Sequence, residues 1–147
     1  MMLEILYVDD EEILRDVSKL TLESNAKDIH VTTFSSPKEA LTHLKTNNPD
    51  VIVSDFAMVP EDGISFLIKV RQIHDGLPFI LFTGRGKEEI VIQALNEGAD
   101  FYLQKSGDAK SLYAELEHMI RKAIERRTNE KTILKLKASL LVLPGGK

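Results

Sequence analysis

A three-layer α/β sandwich, with a parallel sheet between two layers of helices, is the fold this sequence predicts. Short apolar, β-branched runs alternate with longer stretches whose apolar residues recur at helical spacing, five times over. The connections are short, and strict alternation with short connections gives parallel strands covered by helices on both faces. One run, Val51-Ile52-Val53-Ser54-Asp55, reads as a strand buried on both sides that ends abruptly in a carboxylate. A charge is too costly inside such a strand, so Asp55 marks its carboxyl end, where the ligand crevice of an open parallel sheet lies.

The elements follow in order. Leu3 to Val8 is strand one, ending in Asp9-Asp10-Glu11-Glu12; Ile13, Leu14, Val17 and Leu20 then carry helix one to about Ser24, with Asp10 as expected N-cap. His30 to Phe34 is strand two. Ser36-Pro37 with Glu39 starts helix two, and Asn47-Asn48-Pro49 stops it. After strand three (51–55) and a loop to Gly63, Ile64, Leu67, Ile68 and Arg71 begin a helix running to about His74. Phe79 to Thr83 is strand four, and Gly84-Arg85-Gly86 breaks the chain. Ile90, Val91, Ala94 and Leu95 form helix four, with Gly98 placed to terminate it. Phe101 to Lys105 is strand five, and a long helical pattern starts from Asp108. Beyond a polar stretch at 125–131, Ile133, Leu136, Leu140 and Leu143 recover a helical period before Pro144. The division expected is a domain at 1–127 and a helical extension or linker at 128–147, which could also pair with another chain.

Composition narrows the function. The chain has 147 residues, 43% hydrophobic and 29% charged, with a formal net charge of -4, as expected of one ordinary globular domain. That charge argues against nucleic-acid or anionic-membrane binding by the surface as a whole. Without cysteine there is no disulfide framework, thiol nucleophile or thiolate metal site. No apolar run approaches the roughly 18 residues of a membrane span, and no basic segment precedes the first apolar run as in a secretory signal. A cytoplasmic location is the default expectation.

Parallel strands would gather five groups on one rim: Asp9 and Asp10 after strand one, Asp55 after strand three, Thr83 ending strand four and Lys105 ending strand five. Any one of these is ordinarily a helix cap or a solvated strand end; the joint pattern is not. Two like charges about 4 Å apart cost on the order of 4 kcal/mol at an effective dielectric of about 20, so positive charge is required there. Oxygen-only donors point to a hard divalent cation, Mg²⁺ first, which favours one or two carboxylates plus phosphate oxygens. The chemistry that fits is phosphoryl transfer onto a carboxylate, with Asp55 as nucleophile and Lys105 screening charge.

These residues resemble the receiver domain of two-component response regulators. Tyr7-Val8-Asp9-Asp10-Glu11 resembles that family's acidic first turn. Asp55-Phe56-Ala57-Met58 with Gly63 resembles its phosphoacceptor loop, and Phe82-Thr83-Gly84 and Leu103-Gln104-Lys105 resemble its two later signatures, over roughly residues 3–127. The resemblance implies a flavodoxin-like fold with strand order 2-1-3-4-5. It implies that Asp55 accepts phosphate from a sensor histidine kinase or a histidine phosphotransfer protein. It implies that Asp9, Asp10, Asp55 and the backbone carbonyl of Ala57 hold Mg²⁺. It further implies that Thr83 binds the phosphoryl oxygen and that Tyr102 changes rotamer with it. The switched face would be that of helix four, strand five and helix five, where a homodimer could form, as it could through the C-terminal helix. Such a chain catalyses only its own phosphorylation and dephosphorylation.

Two positions depart from the family. Ser106 stands where a proline usually follows the lysine, and a cis peptide there would cost about 3 kcal/mol. Val59 holds the place of another usual proline, with Pro60 next. The alternative function is a Mg²⁺-dependent phosphatase of the haloacid-dehalogenase type, which needs a second Asp where Ala57 stands. A flavin module is a third idea, opposed by the acidic first turn. Gly84-Arg85-Gly86-Lys87 lacks the ending of a phosphate loop. His30, His43, His74 and His118 have no ligand spacing. The basic run Arg121, Lys122, Arg126, Arg127 reads as a solvated face, and direct nucleic-acid contact is not expected of it.

Overall fold

The structure, a computed structural model, describes residues 1–84 and 86–141. Five βα units follow one another: β1 Leu3–Val8, α1 Glu12–Asn25, β2 Ile29–Phe34, α2 Pro37–Leu44, β3 Val51–Ser54, α3 Gly63–Ile73, β4 Phe79–Thr83, α4 Glu88–Asn96, β5 Phe101–Gln104 and α5 Ala109–Leu141. All strand pairs are parallel, in the order β2-β1-β3-β4-β5. The fold is the (βα)5 sandwich with strand order 2-1-3-4-5 and an extended last helix.

Strand alternation splits the core into two layers. Ile5 and Tyr7 of β1 join Val31, Val51, Val53, Ile80, Phe82 and Leu103 under α1 and α5, which contribute Leu22, Leu116, Ile120 and Ala123. Leu6 and Val8 join Ile52, Phe79 and Leu81 on the opposite face, under Ala40 of α2, Phe66, Leu67 and Val70 of α3, and Ala94 of α4. Both faces of β3 and β4 are therefore dry, which is why these strands read as continuous apolar runs.

Local signals place most helix ends. Ser36 caps α2 by accepting from the Glu39 N–H at 3.2 Å, with Pro37 in the first turn. Asp62 caps α3 through Ser65, and Asp108 accepts from the Ser111 N–H at the start of α5. Gly98 follows α4 with φ +102°, the left-handed conformation in which glycine ends a helix at no steric cost. The expected cap of α1 is corrected: Glu11, not Asp10, holds the N-cap position and makes no side-chain cap bond. Asp9 satisfies that turn instead, its Oδ1 accepting from the Glu11 N–H at 3.0 Å. Strand two starts one residue earlier than expected, and strands three and five each stop one residue earlier, so Asp55 and Lys105 lie just past their ends. The cis peptide bond among the described residues is Val59–Pro60.

The basic run on the last helix is corrected in part: Lys122 and Arg126 are exposed, but Arg121 and Arg127 are held in ion pairs. Arg121 pairs with Asp28 at 2.7 Å and with Glu117, and Arg126 lies over the Phe101 ring. Arg127 donates to both oxygens of the half-buried Asp100, at 2.8 and 3.0 Å. Asp100 also takes Arg71 and the Phe79 N–H, so α3, β4, β5 and α5 are tied at one point. Past that tie α5 runs on: residues 128–141 are exposed throughout, including Ile133, Leu134, Leu136, Leu140 and Leu141. Leu143 and Pro144 to Lys147, which the sequence reading assigned to the tail, lie outside the described residues, as does Arg85.

Candidate functional site

The carboxyl ends of β1, β3, β4 and β5 open into one cleft of about 530 Å³. Asp10, Asp55, Ala57, Thr83 and Lys105 line it, together with Glu11, Leu14 and Asp62. A parallel sheet brings these strand ends to the same edge, and the register of the pairs does the rest.

Three carboxylates stand close together. Asp9, Asp10 and Asp55 each offer an oxygen within 4.8 Å of the others; Asp9 and Asp55 are buried and Asp10 is exposed. Lys105 reaches across the edge and its Nζ donates to Asp9 Oδ2 at 2.8 Å, resting 5.1 Å above the Phe82 ring. Asp9 is fully buried, so this pair is its compensation. Arg15 adds a bond from its guanidinium to the Asp9 backbone carbonyl at 2.8 Å. Burial pushes the Asp55 carboxyl above its ordinary range; the Thr83 hydroxyl and the Lys105 charge pull it down, and Asp9 pushes it up again. The Phe56 N–H donates to Asp55 Oδ1 at 2.8 Å. Oxygen donors alone, two of them buried beside one lysine, suit a hard divalent cation.

Tyr102 of β5 packs against the core layer under α2, α3 and α4. Its hydroxyl is buried and has no hydrogen-bond partner among the described residues. Burial alone raises its proton affinity. Gly86 lies against it, since a Cβ there would fall 1.9 Å from the Tyr102 oxygen. The Tyr102 oxygen thus takes the space that a side chain on residue 86 would need.

Sequence reasoning named Gly63 only as part of the acceptor-loop resemblance, without the physical reason for it. Gly63 begins α3 against the acceptor loop, and a Cβ there would meet the Asp55 carbonyl oxygen at 2.2 Å. Its N–H also donates to the Phe56 carbonyl at 2.9 Å. Gly63→Ala is expected to cost at least about 1–3 kcal/mol through overpacking, read as a lowered thermal midpoint. An unchanged melt would show that the loop yields freely. Missed outright was a row of hydroxyls, Tyr7, Ser18 and Tyr113, behind Asp9. The legible signal was a tyrosine hydroxyl in the buried half of a strand, facing the one serine that α1 buries.

With this geometry in place, comparison with known proteins is decisive. Residues 5–117 match the family described as the response regulator receiver domain. The transcriptional regulator NtrC of Klebsiella pneumoniae is 34% identical over 113 residues, covering 77% of this chain and 24% of that protein. The transcriptional regulatory protein SrrA of Staphylococcus aureus is 32% identical over 130 residues, covering 88% of this chain and 51% of that protein. The chain thus spans a quarter to a half of the length of these curated relatives. Among solved structures, a response regulator receiver domain protein from Clostridium thermocellum superposes with a TM-score of 0.75 at 31% identity, covering 86% of this chain and 98% of that one.

The protein is a receiver domain of the CheY-like class, and this chain belongs to the response regulator receiver family. Its clustered Asp9, Asp10 and Asp55 are of the kind typical of phosphoacceptor sites. The family match places this chain with receivers and not with the phosphatases of the alternative reading. Among the described residues, no helix is long and apolar enough to cross a membrane.

Proposed function

We propose that this chain is a Mg²⁺-dependent phosphoacceptor in a two-component phosphorelay, with Asp55 taking a phosphoryl group from the phosphohistidine of a sensor histidine kinase or a histidine phosphotransfer protein. The observation that carries the reading is the placement of a buried Asp55 within 4.8 Å of two further carboxylates, with Lys105 on Asp9. An Asp55 oxygen attacks phosphorus as the P–N bond to the imidazole breaks, and the departing nitrogen keeps the electron pair. Asp9, Asp10, Asp55 and the Ala57 carbonyl would hold Mg²⁺, which supplies a Lewis acid on the phosphoryl oxygens. Lys105 neutralises charge building on the transferred group, and the Thr83 hydroxyl donates to it.

The switch follows from the same contacts. Thr83 turns toward the phosphoryl group, and Tyr102, whose buried hydroxyl lacks a partner among the described residues, changes rotamer with it. The face of α4, β5 and α5 is the output surface, and Ile92 and Leu95 of α4 are exposed on it. A homodimer would form there or through Ile133, Leu136 and Leu140 of the projecting helix. The division at residue 127, the extension beyond it and a cytoplasmic location belong to this reading.

The phosphodonor has a surface to meet. Ile13, Val17 and Leu20 form an exposed apolar stripe on α1, at i, i+4 and i+7, beginning beside the Leu14 that lines the cleft. Ile13→Glu is expected to slow transfer from a phosphohistidine protein about tenfold, as for a loss of about 1.4 kcal/mol. Labelling by acetyl phosphate should stay as it was, and equal loss with both donors would rule the docking role out. The proposal as a whole is tested with acetyl phosphate and Mg²⁺. One labile acyl phosphate per chain with slow release is expected; multiple turnover of phosphomonoesters, or no labelling, contradicts it.

A further inference from the structure

Three hydroxyls lie inside a core layer that is otherwise apolar. Tyr7 comes from β1, Ser18 from α1 and Tyr113 from α5, and all three are buried. Ser18 Oγ donates to Tyr7 Oη at 2.9 Å and stands 2.8 Å from Tyr113 Oη. Tyr7 Oη donates in turn to Asp9 Oδ2 at 3.5 Å. Tyr7 precedes Asp9 by two residues at the end of one strand, so both side chains leave the same face.

We propose that Tyr7, held by Ser18 and Tyr113, is a positioning residue for Asp9, and that this hydroxyl row links the acidic cluster to α5 on the face of the sheet opposite α4. The inference rests on the reading of Asp9 as a Mg²⁺ ligand.

Each hydroxyl has one proton to give. The Ser18 proton goes to Tyr7, so the Tyr113 proton goes to Ser18, and the Tyr7 proton is left for Asp9. All three bonds run toward the carboxylate. The reverse order would face a tyrosine lone pair to a carboxylate oxygen, so the charge on Asp9 sets the direction of the row. Packing alone does not ask for these groups. Phenylalanine would fill both tyrosine places, and a buried hydroxyl is costly unless it is paired.

The consequence for Asp9 is orientation. Its Oδ1 is held by the Glu11 N–H, and its Oδ2 is shared by Lys105 and Tyr7. Neighbours that hydrogen-bond to a metal ligand in this way fix its rotamer, and their loss typically lowers metal affinity about 10–100-fold. Tyr113 has a second link to the site, since its ring meets the edge of Phe82, the ring on which Lys105 rests. A change at Asp9 or Lys105 therefore arrives at the first turns of α5, the helix that carries the projecting segment.

The experiment is Mg²⁺ titration of the full chain by calorimetry, for wild type, Tyr7→Phe, Tyr113→Phe and Ile120→Val. The dissociation constant of Tyr7→Phe should rise about tenfold. That of Tyr113→Phe, two hydrogen bonds from Asp9, should rise by a smaller factor. Ile120→Val loosens the same core layer and should lower the melting point while leaving Mg²⁺ affinity alone, which separates positioning from general packing. Tyrosine emission gives a second readout, because the chain has no tryptophan. In a Tyr102→Phe background Mg²⁺ should change it, and Ser18→Ala should shrink the change, since it cuts Tyr113 off while Tyr7 keeps its own contact with Asp9. Wild-type Mg²⁺ affinity in both Tyr7→Phe and Tyr113→Phe overturns the inference; if Tyr7→Phe does not fold, Tyr113→Phe decides. Failure of the wild type to bind Mg²⁺ overturns the metal reading and the inference with it.

Discussion

Asp55→Asn is expected to abolish phosphoryl labelling and, at the same time, to raise the melting temperature of the metal-free protein at neutral pH. The first effect follows from removing the nucleophile. The second follows from the environment of the carboxylate. Burial, chiefly, raises the folded proton affinity of Asp55 above its unfolded value of about pH 3.9. Between the unfolded value and the higher folded one, the native chain binds more protons than the unfolded chain. Stability therefore falls as pH rises through that window, and the charged group is a burden at pH 7. Asparagine removes the burden, so the variant should melt higher at pH 7, with the gap closing below about pH 4. Mg²⁺ should raise the melting temperature of the wild type more than that of the variant. A variant that melts lower than wild type at pH 7 would show that Asp55 is stabilised by its neighbours.

Lys105→Met is expected to be the most destabilising change at the site. Asp9 is fully buried, and the lysine, itself mostly buried, is the cation it is paired with. Removing one partner of a buried pair strands the other, at a cost of about 3–5 kcal/mol. Methionine keeps the length and the contact with Phe82, so the loss reports charge rather than volume. Added Mg²⁺ should recover part of that stability by supplying positive charge at the same carboxylates, while labelling by acetyl phosphate stays depressed. Denaturant unfolding with and without Mg²⁺ measures both. A loss below about 1 kcal/mol would mean that water, not Lys105, compensates Asp9.

Much of this was legible in the residues. The dry strands β3 and β4 announce themselves as apolar runs because helices cover both their faces, and a charge at the end of such a run has to lie at an edge. Asp55 was found that way, and Thr83 and Lys105 as the residues ending the fourth and fifth runs. The helix starts at Ser36 and Asp108 were legible because capping is local chemistry. The cap of α1 was misplaced for the opposite reason: Asp9 turns back to the Glu11 N–H while also serving Lys105, a bond between residues far apart in sequence. The basic run of α5 looked like a solvated face because Asp100 and Asp28, its partners, are distant in the chain. Gly63 was read only as part of a pattern; the reason for it, a backbone carbonyl in the space of a Cβ, exists only in three dimensions.

Locating the phosphoryl group tests the account most directly. The full chain is treated with acetyl phosphate and Mg²⁺, the acyl phosphate is trapped by borohydride reduction, and the modified residue is identified by peptide mass spectrometry. Reduction of Asp55 alone, lost when the metal is chelated, is the predicted result. Modification at Asp9 or Asp10, or labelling that persists without a divalent cation, would contradict it.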